Sequence, residues 1–411
     1  MLLLAVTAVL WTAPTPWGVA LEARLARLRP AAGLPGRGGI YDRTGEALAV
    51  SGPGGWGPAR RYTVPPSLAP VLGYVHPRFG LAGLELSLDG WLAARHGGAD
   101  VALTISRELH RAAESWFDGR PGAAVVLSIP EGELLALVSL PGFDPGALDQ
   151  GWEHWRADAD RPFFPRAVQG LYAPGSAFKV VVMAAALEAA QAGGTVGLPG
   201  PGRAPLDLAL ARSDNLVFRQ LGVALGPQIT GLARRLGLDG APPLEIPTRA
   251  GHLPPEPLSL GEAALVGIGQ GAIAFTPLQM ALVAGVIASG GRALTPRLVR
   301  WMEGRPAPRV QEGPRLLPLA VAQRVQAAMA LAVEEGTGTA ARGEPPVAGK
   351  TGTAEVAGKP PHAWFIGFAP ADRPRVAAAV VVEHGGSGGR VAAPIAAKIL
   401  RAALEMMGGG G

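Results

Sequence analysis

The chain has no cysteine, a single asparagine (Asn215) and only four lysines (Lys179, Lys350, Lys359 and Lys398) among its 411 residues. Without cysteine there is no disulfide framework, no thiolate metal site and no cysteine nucleophile. The scarcity of asparagine is compatible with a heat-adapted chain that avoids thermolabile amides. The other 33 basic residues are arginines dispersed without a basic tract, so a net charge of +5 does not make a nucleic-acid footprint. No nucleic-acid partner is expected. The seven histidines show no H-E-x-x-H or paired spacing, and no metal is expected. Charged residues are also few, at 17% against 48% hydrophobic, which excludes a disordered acidic chain and supplies a packed interior. The 59 glycines and 40 prolines follow no G-X-Y or short period, which excludes collagen and solenoids.

A chain of 411 residues fits one sizeable core plus an appendage. Residues 1–21 carry no charged side chain and as a helix would span the ~30 Å hydrocarbon core. Pro14 and Pro16 interrupt the run and Arg24, Arg27 and Arg29 follow it. It reads as an uncleaved membrane anchor or a cleaved signal segment. Residues 22–100 are dense in Gly and Pro with short alternating stretches, the pattern of a compact β-rich module.

Residues 101–407 form the main domain, and the glycines of 408–411 are expected to be a disordered tail. Within the domain a helix is predicted over Ser106–Phe117, followed by a hairpin of Ala123–Ile129 and Leu134–Leu140. From about Phe178 to about Thr337 the spacing is helical throughout. Strands return at Val347–Val356, Ala363–Phe368 and Val376–Val382, and a last helix runs from Pro394 to Met406. Five strands from two distant parts of the chain predict an α+β domain. One five-stranded antiparallel sheet is closed by both ends, with a helical subdomain inserted and the small β-rich module in front.

Three short motifs carry chemistry. Ser176-Ala177-Phe178-Lys179 follows a Tyr172-Ala173-Pro174-Gly175 turn that should launch a helix, so Ser176 and Lys179 share a face at i and i+3. A serine hydroxyl needs a base to become a nucleophile, and a buried lysine of depressed pKa can serve. Ser213-Asp214-Asn215 contains the only Asn of the chain, and all three residue types also favour helix N-caps. Lys350-Thr351-Gly352-Thr353 lies in the first late strand. There Gly352 would let a substrate backbone approach, Lys350 with the Thr hydroxyls would hold an anionic or amide group, and the Thr353 amide can face a carbonyl oxygen. An ordinary edge strand with a gatekeeper lysine would look the same. The Gly267-x-Gly-x-Gly run lacks the context of a dinucleotide site and reads as a packing turn, and His362 reads either as a residue lining the cleft or as a satisfied structural histidine.

In this order the three motifs are the Ser-x-x-Lys, Ser-Asp-Asn and Lys-Thr-Gly set, and the chain resembles class B penicillin-binding proteins over nearly everything after residue 36. Arg37–Ala49 is similar to the opening of that family's N-terminal module. Gly83-Leu84-Glu85, Gly269-Gln270-Gly271, Thr276-Pro277-Leu278-Gln279 and Pro361–Phe368 also match its pattern. The resemblance implies a serine β-lactamase/transpeptidase-like fold, peptidoglycan stem peptides as substrates and covalent binding of β-lactams, with no cofactor. It implies Ser176 as nucleophile, Lys179 as base, Ser213 as proton relay and Asn215 as the group orienting Lys179. Lys350, Thr351 and Thr353 would bind the terminal carboxylate.

The chain holds no candidate for glycan polymerisation, so the resemblance also implies a membrane glycosyltransferase partner of the shape, elongation, division and sporulation class. The catalytic domain would then stand on the outer side of the bacterial cell membrane. Only 37 positions separate Ser176 from Ser213, which implies a trimmed helical subdomain. Two alternatives stay open at this stage. One is a D,D-carboxypeptidase or β-lactamase on the same fold; the other is a non-catalytic protein that activates a partner or senses β-lactams.

Overall fold

The structure, a computed structural model, describes residues 36–52, 59–93, 98–193, 205–305 and 312–408. The apolar segment 1–21 lies outside the described residues, as does the tail beyond Gly408. Gly408 itself closes the last helix instead of starting the tail.

The leading module is built on β1 (Ile40–Tyr41), β2 (Ala47–Gly52) and β3 (Ala59–Tyr62), followed by a small hairpin of β4 (Val75–His76) and β5 (Gly80–Leu81). Glu85 explains why the opening arginine matters. Its fully buried carboxylate accepts from Arg37 Nε at 2.6 Å and from Arg60 Nε at 2.7 Å, so the chain entry is pinned to β3. Pairing makes such a burial tolerable.

The boundary expected at residue 100 does not separate the two sheets. The module's sheet has the order β3-β2-β1-β6-β9, in which β6 is Val101–Leu103 and β9 is Val299–Met302. β6 runs parallel to β1 and the other pairs are antiparallel. β9 also interrupts the stretch expected to be all helical. Its four residues are too few for a periodicity signal, and the pairing is set from elsewhere: the carboxylate of Glu245 accepts from Leu298 N and Val299 N, both at 3.0 Å.

The main sheet has the order β10-β11-β12-β7-β8 and is antiparallel throughout. Its strands are β7 (Gly122–Ser128), β8 (Leu134–Leu140), β10 (Ala348–Val356), β11 (Lys359–Ala369) and β12 (Val376–Val382). Every residue of β7, β8 and β12 is buried, which is why these strands read as unbroken apolar runs: both faces are covered. One face carries the first and last helices, α1 (Arg107–Ser115), N-capped by Ser106, and α9 (Ala392–Gly408), packed on Val126, Val138 and Val380. The opposite face, with Val125, Leu127 and Val381, meets the helical lobe. That lobe contains α3 (Lys179–Gln191), α4 (Leu206–Ala211), α5 (Asn215–Arg235), α6 (Leu260–Gly267), α7 (Pro277–Ala288) and α8 (Leu319–Glu334). The short α2 (Leu148–Ala157) packs through Trp152, whose ring stacks on Phe79 of the module at 4.1 Å. The expected sheet, built from two distant segments and closed by both ends, is therefore observed.

A charged hub joins the two sheets. Glu133, in the β7–β8 turn and 9% exposed at its side chain, faces three guanidinium groups: Arg43 at 3.3 Å, Arg297 at 2.8 Å and Arg300 at 3.5 Å. Arg43 comes from the leading module, Arg297 from the run into β9 and Arg300 from β9 itself. Removing the carboxylate would leave partly buried cations without their counter-charge. Glu133→Ala is expected to lower stability by about 3–5 kcal/mol, the usual cost of breaking a buried ion pair from one side. Calorimetry checks this, and a loss below about 1 kcal/mol would mean that solvent serves the arginines.

Candidate active site

Ser176 sits in a single 3-10 turn, Gly175–Phe178, from which α3 continues. The strap before it is bonded down at each step: Tyr172 exchanges both backbone bonds with Phe275, and Gly175 N donates to Gly269 O at 2.9 Å. The turn then lies directly on β10. A Cβ at Gly352 would stand 2.6 Å from Pro174 O and 3.1 Å from Ala177 N. Gly175 has φ +53°, and a Cβ there would stand 2.5 Å from Thr353 O. The sequence reading gave Gly352 to an approaching substrate. In the structure the approaching backbone is the turn that carries Ser176.

Lys179 is fully buried and its Nζ donates to Asn215 Oδ1 at 2.7 Å, Ser213 O at 2.8 Å and Ser213 Oγ at 3.1 Å. Among the described residues its hydrogen bonds go to this segment and not to Ser176, although i,i+3 spacing places the two on one face. Burial pulls the Lys179 ammonium down to about 7; Asp214 opposes that shift and Arg219 adds to it. The Phe218 ring beside it, 5.1 Å from Nζ, is a further apolar wall.

The segment between α4 and α5 shows why three polar residues are needed in a row. Asp214 is the helix cap, accepting from Leu216 N at 2.8 Å and Val217 N at 3.2 Å. Its neighbours are thereby free for Lys179. Ser213 has φ +61°, a left-handed conformation that aims both its carbonyl and its hydroxyl at the amine. Holding a non-glycine residue there costs about 1–3 kcal/mol, an expense typical of functional sites.

In β10 the side chains alternate. Thr351 is buried and its Oγ1 lies 2.5 Å from Thr337 Oγ1; Thr353 is exposed on the same face, its Oγ1 accepting from Gly388 N at 3.4 Å. Lys350 points the other way and is fully buried, with Nζ donating to Thr351 O at 3.0 Å. Burial first, and the charge of Lys179 second, push its pKa well below the ordinary lysine value. The exposed hydroxyl of the motif belongs to Thr353, while the Lys350 amine is buried within reach of the Lys179 charge.

Gln270, Thr337 and Gly388 were not singled out from the sequence as site residues. Gln270 Nε2 reaches Thr353 O at 3.4 Å; its sequence signals are the surrounding glycine run and the match of Gly269-Gln270-Gly271 to the family's pattern. The half-buried His362 accepts from His384 N at its Nδ1, at 3.0 Å.

A serine on a helix-leading turn, a buried near-neutral amine one helical turn away, a hydroxyl bonded to that amine and an edge strand beside them are the parts that serine acyl transfer requires. The sequence profile named Penicillin binding protein transpeptidase domain matches residues 122–194 and 195–401. The chain belongs to that family, as a class B penicillin-binding protein. Peptidoglycan D,D-transpeptidase PbpA of Mycolicibacterium smegmatis is 33% identical to it, over 87% of this chain and 87% of that one. MrdA of Acinetobacter baumannii is 30% identical over 72% of this chain and 53% of its own length. Among solved structures, penicillin-binding protein A from M. tuberculosis as a ceftriaxone acyl-enzyme superposes with a TM-score of 0.82 at 31% identity, covering 90% of this chain and 98% of that one. The D,D-transpeptidase domain from Eggerthella lenta gives 0.82 at 30% identity, covering 92% and 100%.

Lys179 can accept a proton only when neutral, so acylation by a β-lactam should rise with pH through about 7 and level off above it. A stopped-flow rate profile measures this, and a rate that is flat from about pH 5 to about pH 9 would place the base elsewhere.

Proposed function

We propose that this chain cross-links peptidoglycan through an acyl-enzyme on Ser176, with Lys179 as the base. The activity class is that of the family, serine-type peptidoglycan D,D-transpeptidation with covalent binding of β-lactams. The observation that carries the residue assignment is the burial of Lys179 among Ser213 and Asn215 acceptors. It keeps the amine near neutrality one helical turn from the serine.

Ser176 Oγ attacks the penultimate D-Ala carbonyl of a stem peptide while its proton passes to Lys179. The amides of Ser176 and Thr353 receive the developing oxyanion. Ser213, hydrogen-bonded to Lys179, relays the proton to the leaving amine and D-Ala departs. Asn215 orients Lys179. An amine of a second stem peptide then takes the acyl group and frees Ser176. The substrate's terminal carboxylate is met by the Thr353 hydroxyl, with Thr351 beneath. Lys350 adds positive potential behind the strand as that anion raises its proton affinity. A β-lactam follows the same path, but ring opening leaves its amine tethered.

The chain is part of the bacterial cell-wall machinery. Residues 1–21 support a further reading, membrane anchorage with the catalytic domain on the extracytoplasmic side and the compact module as its pedestal. No helix among the described residues is long and apolar enough to cross a membrane. Membership of the class B family supports a membrane glycosyltransferase of the shape, elongation, division and sporulation class as the source of glycan strands.

Protein given lipid-linked precursor alone should make no strands, and should cross-link them once such a glycosyltransferase is added. Ser176→Ala should abolish cross-links and the penicillin adduct while strand synthesis continues. Lys179→Arg, which keeps charge but cannot deprotonate, should slow acylation about 10²- to 10⁴-fold. Strands that are trimmed of D-Ala and never joined, with acceptor amines present, would identify a carboxypeptidase instead.

A further inference from the structure

Glu383 stands at the end of β12, away from the reacting serine. Its Oε1 accepts from Tyr172 Oη at 2.6 Å and from Arg166 Nε at 2.9 Å. Arg166 is 1% exposed, and its remaining donors go to the carbonyls of Asp160 at 2.5 Å and Arg161 at 3.2 Å. Burial pushes the Glu383 carboxyl up, but the Tyr172 and Arg166 hydrogen bonds outweigh it and hold it below the usual carboxylate range. Both bonds are thus charge-assisted, the stronger kind.

From this carboxylate two structural lines run to the site. Tyr172 begins the strap that reaches Gly175 three residues later, and its ring meets Trp364 edge-on at 6.0 Å. Trp364 pairs with Gly352 across β10–β11 and its Nε1 holds Ala173 O at 3.0 Å. On the other side the chain after Glu383 is fastened along the start of β11. His384 N donates to His362 Nδ1 at 3.0 Å, Gly386 N to Pro361 O at 2.9 Å, and Gly388 N to Thr353 Oγ1 at 3.4 Å. One line ends beside Ser176 and the other on Thr353.

We propose that Glu383 is a positioning residue for acyl transfer, its carboxylate holding the Ser176 turn and Thr353 at the separation that lets their amides act as one oxyanion hole. The inference rests on the assignment of Ser176 and Thr353 made above. Oxyanion donors act on developing charge, so their misplacement slows the chemical step and leaves ground-state binding alone.

Tyr172→Phe keeps the ring and its packing and removes the O–H. Glu383→Gln keeps the shape and removes the charge. Stopped-flow acylation by a chromogenic β-lactam separates the non-covalent Kd from the acylation rate constant, with the folded fraction normalised by circular dichroism. Each variant should slow the rate constant about 10- to 10²-fold and change Kd less than about twofold. Because both act on one link, the double variant should be no slower than the slower single.

If Glu383→Gln strands Arg166 and does not fold, Tyr172→Phe still decides, since it leaves the Arg166–Glu383 pair intact. Acylation at the parent rate in the folded fraction overturns the proposal, even where the melting temperature falls. So does a loss that resides in Kd. Peptide mapping keeps two failures apart: an adduct away from Ser176 in the parent sinks the site assignment, whereas a Ser176 adduct formed at the parent rate in the variants sinks only the positioning role.

Discussion

The constraint on which the site depends is a backbone-to-backbone contact between the 174–177 turn and strand β10. Gly352 and Gly175 have no side chain to separate the two, and a Cβ on either would fall within 2.6 Å of a carbonyl oxygen across the gap. The gap is therefore set by peptide groups, which cannot repack as side chains do. Everything chemical is measured from it. Ser176 comes from one side and Thr353 from the other, so two amides from segments far apart in the chain can face one oxygen atom. The strand can serve because β10 is the edge of its sheet, with β11 on one side and no further strand on the other among the described residues.

Beneath that contact two lysines are buried without a carboxylate in direct contact with either ammonium among the described residues. Elsewhere the protein treats buried charge differently. Glu85 and Glu133 each sit among arginines, and Arg166 is neutralised by Glu383. At the site the compensation consists of neutral oxygens, from Ser213, Asn215 and the Thr351 carbonyl, which satisfy an amine without stabilising its charge as a carboxylate would. The result is an amine that gives up its proton near neutrality. The buried ion pairs use arginine, and two of the four lysines are the amines buried at this site.

The two sheets are not consecutive domains. β6 and β9 enter the leading sheet from the far side of the expected boundary, and Glu133 binds arginines from both parts. A boundary drawn from composition follows the change from Gly/Pro-rich to regular chain, and that change is real. Strand pairing is indifferent to it, because a three- or four-residue strand takes its place from the partner edge and from groups such as Glu245.

The sequence by itself determined the α+β class, the five main strands and the three motifs. Continuous apolar runs, turn residues and rare residue types at special positions are local signals. The unbroken burial of β7, β8 and β12 is the physical reason the runs could be read. It also identified the packing turn at Gly269. Only the tertiary structure decided what each motif residue touches. Spacing placed Lys179 on the face of Ser176, but its hydrogen bonds are made to a segment 34 to 36 residues away. Burial of the Lys350 amine is likewise a tertiary fact, because alternation along a strand assigns a face without saying which face is open. Gly352 meets the serine's own turn, and the Glu383 link joins residues 211 positions apart. Contacts of that kind depend on where distant backbones cross, and no local pattern of residues encodes a crossing.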